Sequence, residues 1–238
     1  MMAGSGAIDD YVTTLARTLR GPGRLRRDMV AEARDGLEDA AAAYRDEGAD
    51  PAAAERMAVA EFGPVAEIAP GYQDELAACE GRRTAAALFL VVPVVTVSWS
   101  LVWQIYPELP PPTYEGKPSW FMPLARFLDF FQLTMGLLGA TALLLLGRRW
   151  RGVRRAEPLT RALGVLLWIQ VPAIFVMGMA LSAGAGSALD GFSRYTPGLV
   201  LAAVSYLSQG WLLYCATRCL IVTRGTAAPL PAGRRILG

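Results

Sequence analysis

Four long apolar stretches, Thr84–Tyr106, Met122–Leu146, Leu159–Ser182 and Pro197–Val222, constrain this chain more than any other feature. A hydrocarbon core of ~30 Å takes ~20 helical residues to cross, and each stretch is that long. Lipid offers the backbone no hydrogen-bond partner, so such a span must close its own bonds as a helix. Strand-like alternation is absent. The expected fold is all-α: a small cytosolic helical domain over residues 1–83, a four-helix transmembrane bundle over 84–222, and a basic cytosolic tail over 223–238.

Charge divides along the same line. Residues 1–83 carry ten Arg against sixteen Asp/Glu, and residues 84–238 carry thirteen Lys/Arg against five Asp/Glu. An acidic water-facing module therefore precedes a basic-flanked membrane module, and the near-neutral total implies no nucleic-acid partner. Positive residues in short loops stay on the cytoplasmic side. Arg82 and Arg83 precede the first span, while Arg148, Arg149, Arg151, Arg154 and Arg155 follow the second. Arg224, Arg234 and Arg235 follow the fourth, whereas the other two loops hold only Lys117 and Arg194. This pattern predicts a multi-pass protein of the inner or plasma membrane with both termini cytoplasmic. Met1–Arg20 has no continuous apolar core, so no signal peptide is expected. Trp99, Trp103, Tyr106, Tyr114, Trp120 and Phe121 cluster where an outer aromatic belt would lie. Pro107–Pro112 reads as a stiff extended exit from the first span.

The N-terminal region reads as short amphipathic helices. Ile8, Val12, Leu15 and Leu19 share one helical face, and Gly21-Pro22-Gly23 ends that helix. A second helix over about 24–47 has Leu25, Met29, Ala33, Leu37, Ala40 and Tyr44 on its stripe. Its charged face (Arg26, Arg27, Glu32, Arg34, Asp35, Glu38, Asp39) is the expected partner-contact surface, and Gly48 suits its C-terminal cap. A third helix starts at Asp50-Pro51, with Ala53, Met57, Ala60 and Phe62 expected inward, and stops at Gly63-Pro64. The Phe62-Gly63-Pro64 turn is expected to orient the helices. A last segment from Val65 to Ile68 should break at Pro70-Gly71 and lead past Tyr72 and Leu76 to the membrane.

The run Arg24 to Glu32, then Leu37-Glu38-Asp39-Ala40, then Glu55 through Gly63-Pro64 to Glu67-Ile68-Ala69, resembles the HAAS-type signalling domain, also called the permease prefix domain. The resemblance covers about residues 8–70. It implies a short cytosolic helical domain placed before membrane spans, sometimes those of transport permeases, in genes that often neighbour PadR-like regulators. It carries over no catalytic residue.

Each span holds a glutamine: Gln104, Gln132, Gln170 and Gln209. The expected orientation puts Gln170 and Gln209 near mid-depth and Gln132 roughly 6 Å nearer the outside. They read either as interhelical glue, worth ~0.6 kcal/mol per bond, or as a polar ligand site. Asp129 is the sole carboxylate within a span. It reads as a rim ion pair with Arg126 or as a relay group. Gly178, Ser182 and Gly186, like Gly136 and Ala140, have the spacing of close helix packing. Cys215 and Cys219 read as small apolar packing residues.

No enzyme motif survives inspection. Histidine is absent, so serine–histidine, cysteine–histidine and HExxH arrangements are excluded, and no GxxxxGK[ST] phosphate loop is present. The chain reads as non-enzymatic, without cofactor or metal, and couples a membrane bundle to a cytosolic helical signalling or docking domain. Its expected partners are lipid, a cytosolic protein such as a regulator or an ATPase subunit, and a second copy of itself. The alternative is a permease or the membrane subunit of one.

Overall fold

A run of residues that buries one face at helical spacing can stay helical through a proline, and the longest helix of this protein does so. The computed structural model describes residues 6–105, 118–147, 156–184 and 196–224. The expectations placed on Pro107–Pro112, Tyr114, Lys117, Gly186, Arg194 and the two arginine-rich segments after the second and fourth spans lie largely outside these residues. Among the described residues every regular element is an α-helix: α1 (Ala7–Thr18), α2 (Gly23–Asp46), α3 (Pro51–Phe62), α4 (Val65–Ile105), α5 (Phe121–Gly147), α6 (Ala156–Gly184) and α7 (Thr196–Val222). Two compact units form. One takes the described parts of Met1–Glu80, Arg155–Pro158 and Ile221–Gly238, and the other those of Gly81–Arg154 and Leu159–Leu220.

In the first unit α1 buries Ile8, Tyr11, Val12 and Leu15, and its capping Leu19 follows them into the core. From α2 come Met29, Ala33, Leu37 and Ala41, with Ala40 only half-buried. Gly48, at φ 98°, closes α2 in the left-handed conformation that glycine adopts without penalty. Asp50 then caps α3, its Oδ1 accepting from the amides of Ala52 and Ala53 at 3.0 Å each. The inward stripe of α3 differs from the expected one: Ala54 and Ala58 are buried, while Met57 and Ala60 are exposed. Alanine volume alone does not select between stripes one residue apart. The flanking side chains do, because Phe62 packs edge-on against Tyr11 with ring centroids 5.7 Å apart, and Glu55 accepts from the Ile8 amide at 3.5 Å.

The break expected at Pro70-Gly71 does not occur; α4 runs unbroken for 41 residues, about 60 Å. Pro70 cannot donate to the Ala66 carbonyl, a loss that costs ~3 kcal/mol in a helix interior. Ala69, Gln73, Leu76 and Ala77 are all buried on one side of the helix. Burying a leucine alone is worth about 1.5–3 kcal/mol, so packing outweighs the missing bond.

The second unit is built from helices long and apolar enough to cross a membrane. Contacts at Arg82–Leu146, Leu88–Gly139, Pro93–Gly136 and Thr96–Gln132 climb α4 while descending α5, the mark of antiparallel neighbours in constant register. Between α4 and α7 the same pattern joins Thr84 to Cys219 at 3.1 Å and Trp99 to Ser205 at 3.1 Å. Leu88, Val92, Leu167, Val171, Leu212 and Ala216 form the core where α4, α6 and α7 meet. Large apolar side chains such as Phe130, Ile169 and Leu207 point outward at 69%, 65% and 75% exposure. A water-soluble bundle does not display so continuous an apolar surface.

Close helix approach occurs at Gly139 and Gly164, not at Gly136 or Gly178; Gly186 and the Ser182 side chain lie outside the described residues. A Cβ on Gly178 or Gly136 would meet little, whereas one on Gly139 would press on Leu88 and the Phe89 amide at 3.1 Å. A Cβ on Gly164 would lie 3.0 Å from the Ala216 carbonyl oxygen. Gly164→Ala should therefore destabilise the purified protein by about 1–3 kcal/mol in thermal unfolding. Gly210→Ala, whose Cβ meets nothing within 4 Å, should be neutral or stabilising.

Candidate functional site

A helix end leaves orphan N–H or C=O groups, and neighbouring residues of α4 satisfy two such ends. Gln73, 5% exposed, receives the Arg20 amide on its Oε1 at 2.9 Å. Its Nε2 donates to the Arg20 carbonyl at 2.7 Å and to the Val222 carbonyl, the last of α7, at 2.9 Å. One neutral amide thus holds both backbone groups of Arg20, in the link from α1 to α2, together with the C-terminus of α7. Asp74 accepts from the Glu157 amide at 3.2 Å, a carboxylate placed on the first turn of α6 where the helix dipole favours it. Val222 is buried in the same core as Leu15, Leu37 and Leu76, and Gly21 lies against the Leu76 side chain. This joint links α1, α2, α4 and the ends of α6 and α7 within one compact unit.

The charged face of α2 is partly committed internally. Arg34 pairs with Asp9 of α1 at 2.7 Å and with Glu38 at 3.5 Å. The hydrogen bond that Arg34 donates to the Asp9 carboxylate is the main cause raising its guanidinium above its ordinary pKa. Arg26 donates to the Leu19 carbonyl at 3.4 Å. Arg27, Glu32, Asp35, Glu38 and Asp39 remain exposed. Val12, Ala16, Val30 and Ala31 floor a shallow groove beside Arg26, Arg27 and Arg34. Phe62 and Gly63 face inward as an orienting turn. Gly63 sits at φ 98°, and its carbonyl accepts from the Tyr11 hydroxyl at 3.0 Å. Burial, and secondarily Tyr72, pushes the Tyr11 phenol up from its usual value.

The intramembrane candidates separate. Gln132 accepts from the Thr96 hydroxyl at 3.1 Å. The α4–α7 contacts put Gln209 level with about Val95, so Gln132 and Gln209 share a depth and Gln170 lies about one turn nearer the Thr84 end. The expected pairing of Gln170 with Gln209 at one depth is thereby shifted. Both amide atoms of Gln170 and the Oε1 of Gln209 are buried without a hydrogen-bond partner among the described residues. Asp129 and Arg126 are both exposed, and the described ion pairs do not include one between them. The expected rim pair is not made: with both side chains at the surface, an i,i+3 pair gains too little to fix them. Cys215 and Cys219 are buried, as packing residues should be. Among the described residues no three His, Cys, Asp or Glu gather as metal ligands.

Residues 10–71 match the HAAS family model. The chain thus carries a HAAS domain, and helices of membrane-spanning length follow it. No curated protein and no solved structure matches the chain. The matched segment covers α1, α2, α3 and the first turns of α4, and ends two residues before Gln73. Periodicity did not single out Gln73 or Asp74. Their one signal is a polar run, Gln73-Asp74-Glu75, between Tyr72 and Leu76, on a segment otherwise read as a connector.

Gln73→Leu should orphan the Arg20 amide and two carbonyls, each buried loss costing about 1–3 kcal/mol. Hydrogen exchange of the Arg20 amide in the full-length protein should then accelerate roughly tenfold or more. Tyr11→Phe should cost about 0.5–1.5 kcal/mol near neutral pH. The folded state holds the phenolic proton more tightly than the unfolded chain does. That stability is complete below the ordinary tyrosine pKa and is lost as pH rises through the raised value. Thermal melts above about pH 10 should show a shallower alkaline decline in Tyr11→Phe than in wild type.

Proposed function

We propose that this protein is a non-enzymatic inner- or plasma-membrane protein, both termini cytoplasmic, whose HAAS domain reports the state of the membrane bundle to a cytosolic protein partner. The Gln73 joint carries this reading. A helical domain that only anchored the chain would need no buried amide shared between its own α1–α2 peptide and the end of α7. A shift of α4 or α7 changes the partners of that amide, and with them the setting of α1 and α2. The arginine pattern of the loops supports the orientation. The exposed charges Arg27, Glu32, Asp35 and Asp39 are the contact surface, and the partner is a regulator or an ATPase subunit.

Transport is the second reading, favoured by the buried, unpartnered amide atoms of Gln170 and Gln209. In that case the chain is a membrane subunit that works with a second copy or an ATPase.

Affinity purification from native membranes after crosslinking discriminates among these readings. Reversing Arg27, Asp35 and Asp39 together should remove the copurifying cytosolic protein while leaving membrane abundance and melting temperature unchanged. Undiminished copurification would reject α2 as the contact surface. Solute flux lost in a Gln170→Ala, Gln209→Ala variant at normal abundance would favour transport.

A further inference from the structure

We propose that Gln170 and Gln209 form a water-binding amide site inside the bundle. This goes beyond the signalling reading and does not depend on it. Gln170 is 1% exposed, yet neither its Oε1 nor its Nε2 meets a protein partner, and the Oε1 of Gln209 is in the same condition. Buried side-chain polar atoms in folded proteins are satisfied in the large majority of cases, by protein or by ordered water. The neighbouring amide shows the protein solution: Gln132 takes the Thr96 hydroxyl at 3.1 Å. Gln170 and Gln209 do not bond to each other. Register places them about one turn apart along the helix axes, roughly 5 Å, an axial offset that two consecutive hydrogen bonds of ~2.8 Å through one oxygen can span if the two side chains face each other.

The chemistry of the bare atoms selects the ligand. They comprise two acceptor oxygens and one NH2 group, which carries two N–H donors. A water molecule offers two donors and accepts twice, so one or two waters satisfy the set. A cation would find no carboxylate here, because Asp129 is exposed on α5 near the level of Trp99. An anion would find no guanidinium among the described buried residues of this unit, where Thr84 and Thr160 are the buried polar residues beside Gln170. Larger solutes are excluded by packing. Leu167 and Val171 beside Gln170, and Leu212 one turn from Gln209, belong to a core with 0–6% exposure. The ligand is neutral, both donor and acceptor, and of water size.

The test uses the full-length protein in detergent micelles with 15N-labelled glutamine. The side-chain amide of Gln170 should show a nuclear Overhauser cross-peak to water, and Gln209→Met should weaken it. In thermal unfolding, Gln170→Met and Gln209→Met should each lower Tm by about 2–4 °C, with the double variant losing no more than the worse single one. Absence of the water cross-peak in wild type overturns the proposal by itself, whether the variants melt lower (a direct amide–amide bond) or higher (a dry, unpaired amide). A cross-peak to a copurified solute in place of water overturns it equally.

Discussion

Glutamine is the one neutral side chain that, with asparagine, presents a carbonyl acceptor beside two donors, and Gln73 uses all three at once. A residue's backbone needs an acceptor for its N–H and a donor for its C=O. Arg20 obtains both from Gln73, and the remaining donor reaches the Val222 carbonyl. At 5% exposure these bonds have little competition from water, so losing them would strand buried polar groups. Asp74, one residue on, points about 100° away around α4 and reaches a different helix end. Two adjacent residues therefore meet opposite electrical needs, a donor for a C-terminus and a negative charge for an N-terminus. A helical domain this small buries a limited core, and the turns of α4 and α7 that join it enlarge that core.

The bundle was legible because span length and apolarity are requirements of lipid, and neither depends on tertiary detail. The cap at Asp50, the left-handed glycine at 48 and the turn at Gly63-Pro64 were legible because local backbone chemistry fixes them. What local chemistry left open was decided by packing. The rotation of α3 depends on Phe62 meeting Tyr11 and Glu55 meeting Ile8, across intervals of 51 and 47 residues that no window along the chain can see. Pro70 announces a break, and only the burial of Ala69 and Leu76 in a core assembled from other helices explains its absence. Gln73 was invisible for the same reason, since its partners lie 53 and 149 residues away.

Internal pairing narrows the surface available to a partner. Asp9 and Glu38 hold Arg34 in place, which ties α1 to α2 at the same time. An exposed pair of this kind adds little stability but sets orientation. On the charged face of α2, Arg27, Glu32, Asp35 and Asp39 stay exposed outside the described ion pairs, and on the proposed reading a surface of one positive and three negative groups would favour a partner of complementary mixed charge.

The bundle interior bears on the choice between reporting and conducting. A path for protons or metal ions needs titratable or charged groups at successive depths, and such groups inside a membrane are the usual mark of one. Among the described residues of the second unit, the interior polar groups include the amides of Gln132, Gln170 and Gln209, the hydroxyls of Thr84, Thr96, Thr160 and Ser205, the Trp99 indole N–H and the Cys219 thiol, while the buried carboxylate of Glu80 belongs to the first unit. Asp129, exposed on α5 and without an ion pair to Arg126, stands apart from them. Neutral groups that exchange hydrogen bonds cheaply suit helices that shift against one another, because each register can find a partner at similar cost. The same groups supply no full charge to compensate an ion stripped of its water, so on the transport reading proposed above the charge would have to come from other residues or from a second subunit.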